Sequence, residues 1–307
     1  MLEKMRDPRT RTWSIVLLVL LVVTGVVGYL VEGKREIPLP PVLRITVDPD
    51  AKTEHLEVPL VRYSKAQSYG ELTTVDFVGA VHLGERSYYE DLNNRFKDYD
   101  VVLYELVSDG ENLPEQNGEP SDSILGTVQR AMCNLIGLTF QLDVINYRAK
   151  NFVHADLSPE ELHDAMQARG ESLPQLLMRL IKLSTDPELQ KTLEAKGYNE
   201  ALLKGINPLL ILLRGPTPQE RLIMRRFMAQ GLIGSDTVLK ALEGEKGFSL
   251  ITDRNAEVMA VLNKETAAGH RTLAIFYGVG HLPDLHERLV KQGYRITQVE
   301  WMRAWNM

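Results

Sequence analysis

The feature that most constrains this sequence is a pattern of strand, Gly-x-x-His turn, helix and strand that occurs twice. In the first copy, an apolar run over 75–78 stops at Gly79, and His82 follows three positions later. A helical pattern then leads to a second apolar run, which ends at Glu105. Near the carboxyl end, the segment FYGVGHL, which contains His281, aligns without a gap with FVGAVHL of the first copy. An internal repeat of this kind decides the architecture of the whole chain.

The repeat predicts an α/β fold in which two related halves share a central sheet. Glycine after each strand lets the chain turn sharply without a side-chain clash. Helical patterns fill the chain between the halves, so we expect a helical insert over about 158–230. It opens with Ser158, Pro159 and a glutamate at Glu161, which is the pattern of a capping box. If the repeat strands are parallel neighbours, both histidines and the glutamate emerge at the carboxyl edge, where open α/β sheets bind ligands.

The amino-terminal part of the chain has the properties of a membrane anchor. Residues 14–31 carry no charge, are mostly aliphatic and are long enough to span a bilayer. Basic residues precede this stretch, whereas the charges that follow it cancel. The positive-inside rule then places the amino terminus in the cytoplasm. A cleaved signal peptide is one alternative, although the stretch is long for one and no Ala-x-Ala site follows. A buried core helix is the other, and the terminal position and the basic residues on one side only argue against it.

These properties predict a domain organisation and a location. We expect residues 1–31 to form a cytoplasmic tail and a single-pass transmembrane signal anchor, and residues 32–41 to form a proline-rich linker. Residues 42–307 would form the α/β body, on the periplasmic or extracytoplasmic side of the membrane. The membrane, reached through the amino-terminal helix, is therefore one expected partner.

Composition excludes several classes of function. The chain has a net charge of −6 and no basic stripe with interleaved aromatic residues, so a nucleic-acid partner is not expected. Cys133 is the single cysteine, which excludes an internal disulfide and a cysteine-based zinc knuckle. The sequence contains no phosphate-binding glycine loop, no serine nucleophile elbow and no Cys/His pair.

The residues at the predicted sheet edge suit a metal-dependent reaction. The imidazoles of His82 and His281 and the carboxylate of Glu105 form a three-ligand set that leaves one position open for water. A divalent ion held there would lower the pKa of its water and polarise a carbonyl, which is hydrolytic chemistry. Alternatively, each histidine bonds a backbone carbonyl at a helix entry. The second copy ends in Glu300, which is either solvated or paired with an arginine.

Three further residues are candidates for the same site. Arg254 and Asn255 are predicted to open a helix that begins at Asp253, where backbone N–H groups and a guanidinium favour an anion or a developing oxyanion. A surface arginine paired with Asp253 or Glu257 is the alternative. Asp156 follows a short predicted strand and would be a metal ligand, an acceptor for a ligand's hydrogen bond, or an ordinary turn aspartate.

Taken together, these motifs resemble the TraB/GumN family. The resemblance is carried by the two Gly-x-x-His segments, by Tyr104-Glu105-Leu106-Val107 and by Asp253-Arg254-Asn255, and it covers about Val75 to the carboxyl end. Relatives of that family include the TIKI proteases and the PrgY pheromone inhibitors, and more distantly the erythromycin esterases and the ChaN haem-binding proteins. The resemblance implies an α/β arrangement of two βα halves around a common sheet.

The resemblance also implies roles for individual residues. It places His82, Glu105 and His281 at a divalent metal, with manganese or cobalt favoured and zinc possible, and Arg254 with Asn255 beside it. Ala155-Asp156 matches a looser family element between the halves. This chain departs from the animal enzymes in its amino-terminal anchor and its low cysteine content, so their substrates are not transferred.

Two functions follow as expectations. The first is a membrane-anchored, metal-dependent hydrolase, a peptidase acting on a peptide or secreted protein. In it Glu105 would also accept a proton, and Arg254 would stabilise the oxyanion. The second is a non-catalytic peptide- or pheromone-binding inhibitor of the PrgY type at the membrane surface. Haem ligation by the histidines is a third option that rests on distant analogy.

Overall fold

The computed structural model describes the chain from residue 37 onward, with gaps. The described residues are 37–50, 52–67, 70–110, 113–114, 116, 133–172, 175, 178–179, 182–183, 186–195, 206–242 and 249–307. The predicted anchor over 14–31 and residues 32–36 of the predicted linker lie outside them. Within the described ranges, no helix combines the length and the apolar character needed to cross a bilayer. Residues Leu39–Met307 form one compact unit.

A seven-stranded mixed sheet forms the centre of this unit. The strands in chain order are β1 (Arg44–Val47), β2 (Glu54–Ala66), β3 (Leu72–Ala80), β4 (Leu83–Gly84), β5 (Val101–Tyr104), β6 (Thr139–Phe140), β7 (Phe152–His154), β8 (Thr272–Gly278) and β9 (Arg295–Asn306). The main sheet has the order β1, β2, β3, β8, β5, β7, and β9 also pairs with β2. β4 and β6 form a separate two-stranded ribbon.

Strand direction places four strand ends at one edge of the sheet. β3, β8, β5 and β7 run parallel to one another, whereas β2 is antiparallel to β1, β3 and β9. β8 is buried along most of its length because neighbouring strands and packed side chains cover it. The predicted α/β fold with a central sheet is therefore confirmed, and the sheet is mixed.

The helices cover both faces of the sheet. In chain order they are α1 (Arg86–Arg95), α2 (Gln141–Val144), α3 (Pro159–Arg169), α4 (Pro187–Ala195), α5 (Pro208–Arg214), α6 (Pro218–Leu242), α7 (Ser249–Ala267) and α8 (Leu282–Lys291). α3 to α6 occupy the segment of the predicted helical insert, and α6 extends beyond residue 230. The capping box that opens α3 is present, since the Ser158 side chain accepts from the backbone N–H of Glu161 and the Glu161 side chain accepts in return.

The two copies of the repeat lie side by side but face opposite sides of the sheet. β3 pairs in parallel with β8 so that Val78 lies opposite Phe276, whereas the sequence alignment matches Phe77 with Phe276. Because side chains alternate along a strand, this offset of one position sends equivalent residues to opposite faces. Phe77 packs in one core cluster with the leucines of α8, and Phe276 packs in the other with the tyrosines of α1.

The second strands of the two copies have different surroundings. β5 pairs with β8 and ends just before Glu105. β9 pairs with the antiparallel β2 and continues to Asn306, so Glu300 lies within the strand and not at its end. An oxygen of Glu300 is 2.7 Å from Nη2 of Arg95, which confirms the alternative of an arginine-paired carboxylate.

The glycines of the two Gly-x-x-His segments lie within β3 and at the end of β8, and they are needed for space. Neither Gly79 nor Gly278 has a positive φ. A Cβ on Gly79 would lie 2.7 Å from Cγ1 of Val58 and 2.9 Å from Cγ1 of Val279. A Cβ on Gly278 would lie 3.2 Å from Oε2 of Glu105. Close approach of neighbouring groups, and not an unusual backbone angle, is the reason for glycine at both positions.

Candidate functional site

The parallel strands bring the predicted site residues to one edge of the sheet. His82, Glu105, Asp156 and His281 follow β3, β5, β7 and β8, respectively. A cavity of about 620 Å³ opens there, and His82, Glu105 and Arg254 line it. Most of its other lining residues are apolar: Ala80, Val81, Leu83, Leu106, Val107, Phe140, Leu142, Met228, Leu232, Val279 and Trp305. A mostly apolar cavity with a few convergent polar groups is the usual form of a ligand site.

Arg254 joins the two carboxylates of the site. Its Nη2 donates to Oε1 of Glu105 at 2.7 Å and to Oδ2 of Asp156 at 2.5 Å, and its Nε donates to Oδ1 of Asp156 at 2.8 Å. The guanidinium is nearly buried, and the Asp156 side chain is fully buried. Burial alone would lower the pKa of Arg254, but the hydrogen bonds and charges of the two carboxylates raise it. Arg254 therefore stays a fixed cation at the edge of the cavity.

Glu105 is held as a carboxylate. Besides Arg254, the backbone N–H of Gly278 donates to its Oε2 at 2.5 Å. Burial opposes ionisation, but the charges of His281 and Arg254 and this N–H group lower the pKa of Glu105 below its usual value. A neutral His281 contributes no charge, so Arg254 is the cation that keeps Glu105 ionised.

A chain of hydrogen bonds sets the tautomer of His281. Asn255 Nδ2 donates to Oδ2 of Asp284 at 2.7 Å, which turns the Asn255 Oδ1 towards Nδ1 of His281, 2.6 Å away. Because that oxygen can only accept, Nδ1 of His281 carries the proton, and Nε2 presents a lone pair when the ring is neutral. Nε2 lies 3.6 Å from Oε1 of Glu105. Burial lowers the pKa of His281, which favours the neutral ring.

His82 lies on another part of the cavity wall. Its side chain is exposed, and its ring centroid is 6.5 Å from that of Phe140. In the part of the chain that the structure describes, no three His, Cys, Asp or Glu side chains are close enough to hold a metal ion. His281 and Glu105 are neighbours, and His82 faces the same cavity, so the three-ligand set stays a prediction.

The structure gives Arg254 and Asn255 different positions from those expected. α7 begins at Ser249, so the predicted helix start at Asp253 is wrong, and both residues lie in the second turn. Their position offers no free N-terminal N–H groups to an anion, because those groups belong to the first turn of a helix. Both residues lie on the buried face of α7. Arg254 reaches the cavity, whereas Asn255 is fully buried and contacts His281.

Several residues of the site were not found from the sequence. Asp284 orients Asn255 and also accepts from Nε of Arg288 at 2.6 Å. The sequence marks Asp284 only as a carboxylate in the first turn of the helix that follows the second Gly-x-x-His. The cavity-lining side chains of α6, β6 and β9 gave no signal, because apolar helix and strand positions have the same pattern when they fill a core.

Comparison with known proteins adds no further assignment. No family model matches the chain, and no curated protein matches it. The resemblance to the TraB/GumN family therefore rests on the motifs quoted above. The functional argument rests on the geometry of the cavity and its charged residues.

Proposed function

We propose that this chain is a membrane-anchored, metal-dependent hydrolase that cleaves a peptide bond in a peptide or secreted protein. The observation that carries the proposal is the pair formed by His281 and Glu105. A neutral imidazole nitrogen and an ionised carboxylate oxygen, 3.6 Å apart, lie at the carboxyl edge of the sheet. Two groups that can only accept, held this close, suit a shared cation or proton.

The chemistry of these groups fits a divalent metal. Imidazole nitrogen and carboxylate oxygen are the ligands used by catalytic metals with an open water position. The Asn255–Asp284 chain behind His281 is the outer hydrogen bonding that usually orients a metal-ligating histidine. His82 would supply the third ligand, so that each copy of the repeat contributes one histidine. A bound manganese, cobalt or zinc ion would supply Lewis acidity and a water of lowered pKa.

The remaining steps belong to residues of this chain. Glu105 would accept a proton from the attacking water and pass it to the leaving amine. Arg254, held by Asp156, would place a fixed positive charge beside the carbonyl oxygen as negative charge develops there. The apolar wall of the cavity would bind a substrate side chain and keep bulk water away from the reacting bond.

A binding protein without turnover is the second candidate. Arg254 donates to the same Oε1 of Glu105 that faces His281, at 2.7 Å. A carboxylate engaged by a guanidinium has a lowered pKa and is a weaker base. The same cavity would then hold a peptide in the manner of a PrgY-type inhibitor and release it unchanged.

The test is metal content and peptide cleavage on the full chain in detergent. His82→Ala and His281→Ala are compared with His163→Ala, an exposed histidine of α3 that hydrogen-bonds Gln167. We expect one equivalent of divalent metal and cleavage of a peptide library in the wild type and in His163→Ala, and loss of both in the other two variants. Cleavage that persists in chelator would contradict the hydrolase proposal, and peptide binding without product would favour the second candidate.

The membrane anchor is a separate part of the proposal. It rests on the uncharged stretch over 14–31 and the basic residues that precede it. Carbonate extraction should leave the full chain in the membrane pellet, and external protease should digest the body in spheroplasts. A body that resists protease until the cells are lysed would contradict the proposed orientation.

A further inference from the structure

The polar groups that line the cavity are of two kinds. Glu105, Arg254 and His82 are charged or titratable. Gln141, at the start of α2, and Trp305, near the end of β9, are neutral, and both are almost fully buried. Gln141 Oε1 and Trp305 Nε1 are buried atoms for which no described residue provides a hydrogen-bond partner.

These two atoms have opposite and fixed hydrogen-bonding characters. Nε2 of Gln141 donates to the hydroxyl of Tyr147 at 2.8 Å, so the amide presents Oε1 as an acceptor. The indole Nε1–H of Trp305 can only donate. Buried polar atoms without a partner are uncommon in folded proteins and require a ligand, a water molecule or a functional role to explain them.

The backbone around both residues is fixed by the rest of the fold. The N–H of Gln141 donates to the carbonyl of His82 at 2.9 Å, which joins it to the first Gly-x-x-His turn. Next to Trp305, the backbone N–H of Asn306 donates to Oε1 of Glu85 at 3.2 Å, and its carbonyl accepts from Nη1 of Arg225 at 3.0 Å. The backbone that carries this donor and this acceptor therefore needs little reorganisation when a ligand binds.

We propose that Gln141 and Trp305 form an amide-recognition pair for the main chain of the peptide that occupies the cavity. Each peptide group offers one N–H donor and one carbonyl acceptor, which complement Gln141 Oε1 and Trp305 Nε1. The pair is uncharged, so it selects for neutral amides in an otherwise apolar wall. This inference rests on the proposed function only in taking the ligand of the cavity to be a peptide, and it does not require turnover.

The test uses two small probes that differ in one donor. N-acetyl-leucine methylamide has the terminal N–H that Gln141 would accept, and N-acetyl-leucine dimethylamide lacks it. Binding of each to the full chain in detergent is measured by NMR titration. We expect the wild type to prefer the methylamide by about tenfold, the scale of one neutral hydrogen bond to a buried group. Gln141→Met should reduce this preference to near unity and leave the affinity for the dimethylamide nearly unchanged.

Trp305 acts on the carbonyl that both probes share. Trp305→Phe should therefore weaken both probes by roughly three- to tenfold and preserve the ratio between them. Trp301→Phe is the matched control, because Trp301 lies on the same strand but outside this cavity, with the guanidinium of Arg44 4.1 Å from its ring centroid. Tyr147→Phe removes the hydroxyl that orients the Gln141 amide, so the preference for the methylamide should fall without being abolished.

Three outcomes would overturn the inference: an unchanged preference in Gln141→Met, an equal effect of Trp305→Phe and Trp301→Phe, or no binding of either probe to the wild type. Peptide cleavage measured on the same samples separates the two proposals. A preference for the methylamide without cleavage overturns the hydrolase alone, and cleavage without the preference overturns the recognition pair alone.

Discussion

Nε2 of His281 lies 3.6 Å from Oε1 of Glu105, although the two residues come from opposite copies of the repeat. Asn255 fixes the tautomer of the histidine, and Arg254 fixes the charge of the glutamate. The protonation of each group therefore depends on the other and on helix α7, which supplies both supporting residues. Substitutions in α7 should change the chemistry of the site even where they do not reach the cavity.

Glu105 and Glu300 are equivalent in the sequence repeat but not in the structure. We expect Glu105→Gln to lower kcat/KM for peptide cleavage by at least about 100-fold, because it removes the proton acceptor and a metal ligand. Glu300→Gln should leave kcat/KM within about twofold, since Glu300 forms a half-buried ion pair with Arg95 and does not line the cavity. Steady-state kinetics on both variants checks this. Equal losses of kcat/KM in the two variants would mean that Glu105 supports the fold and takes no part in the reaction.

Arg254 is expected to be essential for stability. Arg254→Ala leaves the buried Asp156 carboxylate unpaired, which should lower the free energy of unfolding by about 3–5 kcal/mol. Arg254→Lys keeps the charge but loses the forked geometry, so its loss should be smaller. Urea unfolding measures both. Arg86→Ala, in an exposed pair with Glu90 at 4.0 Å, is the control and should change stability by less than about 0.5 kcal/mol.

Stability should fall as the pH is lowered from neutral. Burial lowers the pKa of His281, so below about pH 6.5 the unfolded chain binds this proton more readily than the folded protein. The contribution is complete above about pH 6.5 and is lost as pH falls towards the folded-state pKa, at up to about 1.4 kcal/mol per pH unit. The lowered pKa of Glu105 adds a second loss below about pH 4.

Urea unfolding between pH 5 and 7.5 measures this slope. His281→Gln should flatten it, and His163→Gln should not. The pKa of His286 is lowered by burial too, so a residual slope of the same sign remains in both variants. An identical slope in the wild type and in His281→Gln would mean that the ring does not stay neutral when the protein folds.

A negative charge at Asn255 should convert His281 into an imidazolium. In Asn255→Asp a carboxylate replaces the amide oxygen that lies 2.6 Å from Nδ1, and it stabilises the protonated ring. We expect the pKa of His281, followed by NMR, to rise by more than about one unit. Asn263→Asp makes the same substitution at an exposed position of α7 and should change the pKa of His281 little. No rise in Asn255→Asp would contradict the direct contact between the side chain at position 255 and the His281 ring.

The space around Gly79 predicts a cost for any side chain there. A Cβ 2.7 Å from Val58 forces that side chain or the strand to move, so Gly79→Ala should destabilise the protein by about 1–3 kcal/mol. Gly231→Ala, in helix α6 with nothing within 4 Å of the added carbon, should instead stabilise it by roughly 0.5–1 kcal/mol. If close approach of neighbouring groups is the reason for glycine at position 79, thermal unfolding should show a lower melting temperature for Gly79→Ala and a higher one for Gly231→Ala.

Much of the site could be predicted from local sequence. A buried strand followed by a polar residue is enough to place His82, Glu105, Asp156 and His281 at one sheet edge, because parallel strands end together. The repeat identifies the two histidines, and the capping-box pattern predicts the start of α3. Each of these patterns can be recognised within a short stretch of the sequence.

The features that could not be predicted from the sequence depend on contacts between residues that are far apart along the chain. The predicted start of α7 at Asp253 is too late, and the partners that bury Arg254 and Asn255, namely Asp156, Glu105 and His281, are not their neighbours in the sequence. The offset of one position between the two copies depends on how β3 and β8 pair, which no local pattern specifies. Part of the cavity wall comes from α6 and β9, whose apolar residues cannot be told from ordinary core in sequence.

Strand β8 separates β3 from β5, although β3 and β5 belong to one copy of the repeat. The N–H of Gly278 that holds Glu105 is 173 positions away from it along the chain. During synthesis, one edge of β3 and one edge of β5 therefore stay unpaired until almost the whole protein has been made. Unpaired edges recruit strands from other chains. A product that stops before Thr272 should consequently aggregate or be degraded, and this fold is expected to depend on chaperones that hold the early strands apart.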